Sequence, residues 1–179
     1  LDLISGISVS SIGHCHPRVV QAIKEQSEKY MHLIVYGEFN QAPQVKYATT
    51  LAKHLPESLS SVYFTTGGSE AIEGAMKLAK RATGRNEIIG FKNAYHGSTQ
   101  GALSLMGDEY FKTAYRPLLP NIKHIDYSSF DALEEITSST AAVFIEPIQG
   151  EAGVRKANPI WLCEQKKKCK DVGALLVFD

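Results

Sequence analysis

Residues 61–80, Ser-Val-Tyr-Phe-Thr-Thr-Gly-Gly-Ser-Glu-Ala-Ile-Glu-Gly-Ala-Met-Lys-Leu-Ala-Lys, constrain the chain more than any other stretch, because they read as a buried strand entering a glycine turn that opens a helix. Val62, Tyr63 and Phe64 have the β-branched or aromatic character of a strand, and Ala71, Ile72, Ala75, Met76 and Ala79 then recur at helical spacing. Glu70 and Glu73 near the start and Lys77, Lys80 and Arg81 near the end complement the helix dipole, and Gly84 is the expected stop. The first amides of a helix lack intrahelical acceptors, so a turn built on Gly67 and Gly68 is a natural seat for an anion such as phosphate. No Gly-Lys-Ser/Thr follows the glycines, which excludes a P-loop, and the second and third glycines of a dinucleotide fingerprint are missing. A plain tight turn remains the alternative at this stage.

The rest of the chain supplies a setting for such a turn. After Gly84, expected strands at 87–91, 122–126, 141–146 and 174–179 alternate with helices leading to Met106 and over 129–138 and 159–171. That alternation predicts an α/β fold with a mainly parallel sheet and helices on both faces. Ligands of such sheets sit beyond the carboxyl ends of the strands, which draws attention to 66–69, 93–98, Tyr127, 146–151 and Asp179. Upstream, residues 1–16 read as a short strand and a loop, Pro17 opens a helix carrying Val19, Val20 and Ile23 on one face, 31–44 read as a loop with Tyr36 and Phe39, and 45–55 form a helix closed by Pro56. In the helix over 159–171, Trp161, Leu162 and Cys169 form the buried side, and Lys166, Lys167 and Lys168 a solvated face.

Charge and cysteine content narrow the function classes. The 179 residues carry 19 basic and 19 acidic side chains, so no general basic field points to nucleic acid or an anionic membrane, and any anion must be held by local geometry. No apolar run approaches membrane-spanning length. Three cysteines, Cys15, Cys163 and Cys169, form no CxxC pair and suit a reducing cytoplasm. His14, Cys15 and His16 are neighbours without a further ligand cluster, so a metal site is not expected. A chain that starts at Leu1 without a methionine and stops directly after the apolar run 174–178 is expected to be a segment of a longer protein.

Taken in order, the motifs resemble the class III pyridoxal-phosphate aminotransferases, the group of acetylornithine, ornithine and 4-aminobutyrate aminotransferases. They are Ser5-Gly6-Ile7 with Gly13-His14-Cys15-His16-Pro17, Gly67-Gly68-Ser69-Glu70-Ala71, Tyr95-His96-Gly97-Ser98-Thr99 with Gly101-Ala102-Leu103-Ser104, Pro117-Leu118-Leu119-Pro120, Glu146-Pro147-Ile148-Gln149-Gly150-Glu151-Ala152-Gly153, and the run from Gly173 to Asp179. The resemblance implies a fold-type-I large domain, truncated here, with 1–40 as an N-terminal segment and 41–179 as the first part of the cofactor-binding domain. It implies a homodimer binding pyridoxal 5'-phosphate and no metal.

By the same resemblance, Gly68 and Ser69 offer N–H groups, and Ser69 its hydroxyl, to the cofactor phosphate. Such charge-assisted hydrogen bonds are worth roughly 1.5–3 kcal/mol each. Tyr95 lies against the pyridine ring, and Asp179 is the catalytic carboxylate that keeps the ring nitrogen protonated. Opposite charges about 4 Å apart at an effective dielectric near 20 attract by roughly 4 kcal/mol, or about three pKa units. Glu151 matches a glutamate that in some members pairs with an active-site arginine, and Glu146 is expected to support the aspartate. Acetylornithine-type enzymes carry arginine where this chain has Ser98, so the amino donor stays open. Relatives commonly carry serine at the position of Gly67. The family's Schiff-base lysine falls past Asp179, and Lys77, Lys80 and Lys92 match no such position. The implied reaction is amino transfer between an ω-amino donor and a 2-oxo acid. Alternatives are a glutamate-1-semialdehyde-type aminomutase and a non-catalytic phosphate-binding α/β module.

Overall fold

A computed structural model describes residues 2–34 and 37–179. The chain forms two compact units, Leu1–Val62 and Tyr63–Asp179.

The first unit contains a turn, α1 (Ser5–Ser8), and two helices, α2 (Pro17–Lys29) and α3 (Ala42–Lys53). The strand expected within residues 1–16 does not form: Ser5, Gly6, Ile7 and Ser8 all take positive φ, a left-handed turn, and the unit offers no described strand to pair with. Pro17 opens α2 as expected, its missing N–H costing nothing in the first turn. Pro43 does the same for α3, which therefore starts three residues before the expected Val45. Neither α2 nor α3 buries a residue. Of the aromatics expected in the loop between them, Phe39 is exposed and Tyr36 lies outside the described residues.

The second unit carries α4 (Gly68–Thr83), β1 (Glu87–Phe91), α5 (Gln100–Leu105), β2 (Ile122–Ile125), β3 (Thr140–Ile145), the two-residue strands β4 (Ile148–Gln149) and β5 (Arg155–Lys156), α6 (Pro159–Val172) and β6 (Leu175–Phe178). The main sheet has the order β2-β1-β3-β6, every pair parallel. Period-two alternation splits its side chains between two helical layers. Ile88, Ala142 and Phe144 meet Ile72, Met76 and Ala79 of α4 and Ala102 and Leu105 of α5. Ile89, Phe91, Val143 and Ile145 meet Trp161 and Cys169 of α6. Phe91, Tyr127 and Trp161 stack edge to face there, with centroids 5.4–5.8 Å apart, and the indole N–H donates to Ser129 O at 2.7 Å. Gly84 ends α4 at φ 68°, and Gly173 ends α6 at φ 72°.

Two expectations in this unit are corrected. Residues 61–65 enter no sheet, and Tyr63 and Phe64 are exposed, because the four paired strands leave that stretch without a neighbour to share a ladder. The helix expected over 129–138 shortens to a 3-10 turn, Asp131–Glu135.

Candidate active site

The strand order defines where a ligand would sit. From β1 the chain crosses to β2 on one side, and from β3 it crosses to β6 on the other, so β1 and β3 are neighbours whose onward connections diverge. Parallel sheets open a crevice at such a switch point, outside the strand ends. Here the loop after β1 brings Tyr95, His96 and Gly97, the end of β3 brings Glu146, and the end of β6 brings Asp179. The N-terminus of α4 brings Gly68 and Ser69. All seven line one cavity of about 410 Å³.

Each wall has its own anchoring. Gly67 precedes α4 in extended conformation and gives the helix no side-chain cap, while Glu70 reaches back to Thr66, accepting from its N–H at 2.7 Å and its hydroxyl at 2.5 Å. Those two bonds hold the Glu70 carboxyl below the usual carboxylate range, the hydroxyl contributing most. The amides at Gly68 and Ser69 belong to the first turn, where no intrahelical acceptor exists. Ser69 Oγ accepts from Ser98 N at 3.3 Å, which leaves its own hydroxyl proton to donate.

Tyr95 is half-exposed on the opposite wall, edge-on to Phe111 with centroids 6.5 Å apart. Its backbone N–H donates to Glu146 Oε2 at 3.0 Å, and Gly150 N–H donates to Glu146 Oε1 at 3.3 Å. Glu146, expected to support the Asp179 region, thus accepts one hydrogen bond from the Tyr95 loop and one from Gly150 while lining the same cavity.

Asp179 continues the β3–β6 ladder through its N–H to Ile145 O at 2.9 Å. Its Oδ2 lies 2.8 Å from His96 Nδ1. The imidazole is buried, edge-on to Phe144, and its Nε2 has no partner among the described residues. With the ring proton on Nδ1, His96 donates to the carboxylate and orients it. Sequence reasoning left His96 without a role; its contact partner lies 83 residues away, and no local signal carries such a pairing.

Glu151 is not in this cavity. It lines a neighbouring one of about 320 Å³ with Asp108 and Phe111, and Tyr95 borders both. Among the described residues, no lysine or arginine lines either cavity. Lys92, the lysine nearest in sequence to the Tyr95 loop, pairs with Asp126 at 2.8 Å. Among the described residues no group of three or more histidine, cysteine or acidic side chains could hold a metal, and no helix is long and apolar enough to cross a membrane.

The cavity thus gathers helix-terminal amides and a serine hydroxyl, an aromatic ring, and a carboxylate paired with a histidine. Fold and cavity together define a parallel-sheet α/β protein with a cavity that a helix N-terminus lines at the strand ends. All 179 residues match the family model for class-III aminotransferases, and the chain belongs to that family.

Acetylornithine aminotransferase of Methanopyrus kandleri is 42% identical over 182 residues, covering 100% of this chain and 46% of that protein. The LysW-aminoadipate semialdehyde/glutamate semialdehyde transaminase of Sulfurisphaera tokodaii is 36% identical over 179 residues, covering 100% of this chain and 46% of its own. Among solved structures, ornithine aminotransferase of Toxoplasma gondii superposes with a TM-score of 0.86 at 30% identity, over 99% of this chain and 44% of that one. A second structure of that enzyme has partial occupancy of PLP at its active site. The chain spans a little under half the length of the curated relatives it matches.

Proposed function

We propose that the protein containing this chain is a pyridoxal 5'-phosphate-dependent aminotransferase that moves an amino group between an amino acid, an ω-amino donor, and a 2-oxo acid. The observation that carries this reading is the convergence of Gly68, Ser69, Tyr95 and Asp179 on one cavity. When bound, pyridoxal 5'-phosphate supplies an aromatic ring that accepts the electron pair left when a substrate proton departs.

The residues of this chain divide the work of holding it. The Gly68 and Ser69 amides and the Ser69 hydroxyl would take the phosphate, where the positive end of α4 favours a dianion. Tyr95 would cover the ring and exclude water from one face. Asp179 would hold a proton at the ring nitrogen, with His96 keeping its carboxylate turned to that task. Glu151, bordering the adjoining cavity, would face the substrate. A homodimer in the cytoplasm, with residues 1–40 as an N-terminal segment and 41–179 as the first part of the large domain, completes the reading.

The test uses the complete protein. Mixed with 2-oxoglutarate and a panel of ω-amino acids, it should form glutamate and show the visible absorbance of a bound cofactor that borohydride abolishes. Asp179→Ala should lower turnover by several orders of magnitude while the protein remains folded. Activity without any 2-oxo acid would identify an aminomutase, and no absorbance at all would identify a non-catalytic phosphate-binding module; either result rejects the assignment.

A further inference from the structure

Glu73 lies on α4, one turn after the Gly68–Ser69 turn, and the function proposed above leaves it without a task. Its Oε1 accepts three hydrogen bonds from the start of α5: Thr99 Oγ1 at 2.7 Å, Gly101 N at 2.7 Å and Ala102 N at 3.1 Å. Gly101 and Ala102 are buried first-turn residues whose amides have no acceptor inside α5, and Thr99 at the N-cap does not cap the helix with its own side chain. A carboxylate from another helix therefore satisfies donors that a cap residue ordinarily satisfies, and its charge opposes the positive end of α5. Gly101 is required for this approach, since a Cβ there would overlap the Glu73 carboxylate.

A second grip lies alongside. Ser69 Oγ accepts from Ser98 N, and a Cβ at Gly97 would overlap that same oxygen. The first turns of α4 thus seize the chain from Gly97 to Ala102 at two points, immediately after Tyr95 and His96. One wall of the cavity is the start of α4 and another is the Tyr95 loop, so the two grips set the distance between them.

We propose that Glu73 is a positioning residue: by holding the start of α5 it fixes Tyr95 and His96 relative to the Gly68–Ser69 turn, and so sets how tightly the cavity closes on a phosphorylated ring. This inference rests on the cofactor reading above. In the complete protein, apoenzyme would be titrated with pyridoxal 5'-phosphate, its thermal midpoint recorded, and amide hydrogen exchange followed over residues 97–105 without cofactor. Glu73→Ala should weaken cofactor binding about tenfold or more and speed exchange at Gly101 and Ala102, with exchange in the second half of α4 unchanged. Gly101→Ala, which pushes the carboxylate away without removing it, should do the same. Glu73→Gln keeps an acceptor oxygen in the same place and should restore most of the affinity. A lowered thermal midpoint with unchanged cofactor affinity in both alanine variants would overturn the positioning role, as would unchanged exchange at Gly101 and Ala102. An unmodified protein that takes up no cofactor overturns the functional reading itself, a result that appears before any substitution is made.

Discussion

Replacing Gln165 should stabilise the protein, contrary to the usual result of changing a core residue. Gln165 sits on α6 between Trp161 and Cys169, one turn from each, and is fully buried, yet neither its Oε1 nor its Nε2 has a partner among the described residues. The surroundings are the apolar layer formed by α6, β1 and β3. An amide carried into such a layer without hydrogen bonds costs about 1–3 kcal/mol relative to a chain in which water satisfies it. Leucine removes both polar atoms but is branched where glutamine is not, and fitting that shape into the packed layer costs about 1 kcal/mol. Helix propensity changes little, and leucine loses less rotamer freedom on burial than glutamine. The expected balance for Gln165→Leu is a gain of about 1–2 kcal/mol, read as an upward shift of a few degrees in the thermal midpoint. Gln165→Met, unbranched like glutamine, should gain a similar amount. Thermal unfolding of the complete protein measures the shift, and slower amide exchange confined to α6 and β6 localises it. A loss of 1 kcal/mol or more in both variants would refute the reasoning, because it would mean that the amide is satisfied, for instance by an ordered water that the substitution strands.

Three further outcomes follow from the same structure. His124 is half-buried with Nε2 3.1 Å from Leu105 O, and burial lowers its pKa below the ordinary histidine value, so the unfolded chain binds the proton more readily; stability is full above about pH 6.5 and falls as pH drops toward the depressed folded value. His124→Gln should flatten the pH dependence of the denaturant midpoint between pH 7.5 and 5.5. Burial raises the Cys169 thiol to about 11, whereas Cys15 and Cys163 are exposed, so brief alkylation at pH 7.5 followed by peptide mapping should label the latter two and spare Cys169. His96→Phe deletes the donor to Asp179; a charge-assisted bond worth about 1.5–3 kcal/mol predicts turnover or cofactor affinity roughly ten- to a hundredfold lower, with a larger effect than the same change at exposed His54.

What the sequence made legible was local, and what it hid was pairing. Helix α4 could be read from the spacing of Ile72, Met76 and Ala79 and from Gly84, because a helix satisfies its backbone within one segment. The four parallel strands were legible as elements, since alternation of strand and helix leaves few arrangements. Residues 62–64 carry the same β-forming side chains and yet form no strand, because a strand exists only where another chain segment completes its ladder, and composition cannot report that. The site divides the same way. Gly68, Ser69, Tyr95 and Asp179 could each be named, but their meeting depends on β1 lying between β2 and β3, an order set by contacts far apart in sequence. The His96–Asp179 contact and the Glu73 cap span 83 and up to 29 residues, so neither residue looks unusual until the sheet is assembled. The side chains that would touch a ligand follow strand ends and helix starts and can be found by counting along the chain. Those that orient the first set are fixed only by the packing of one element on another, which is why a structure was needed to find them.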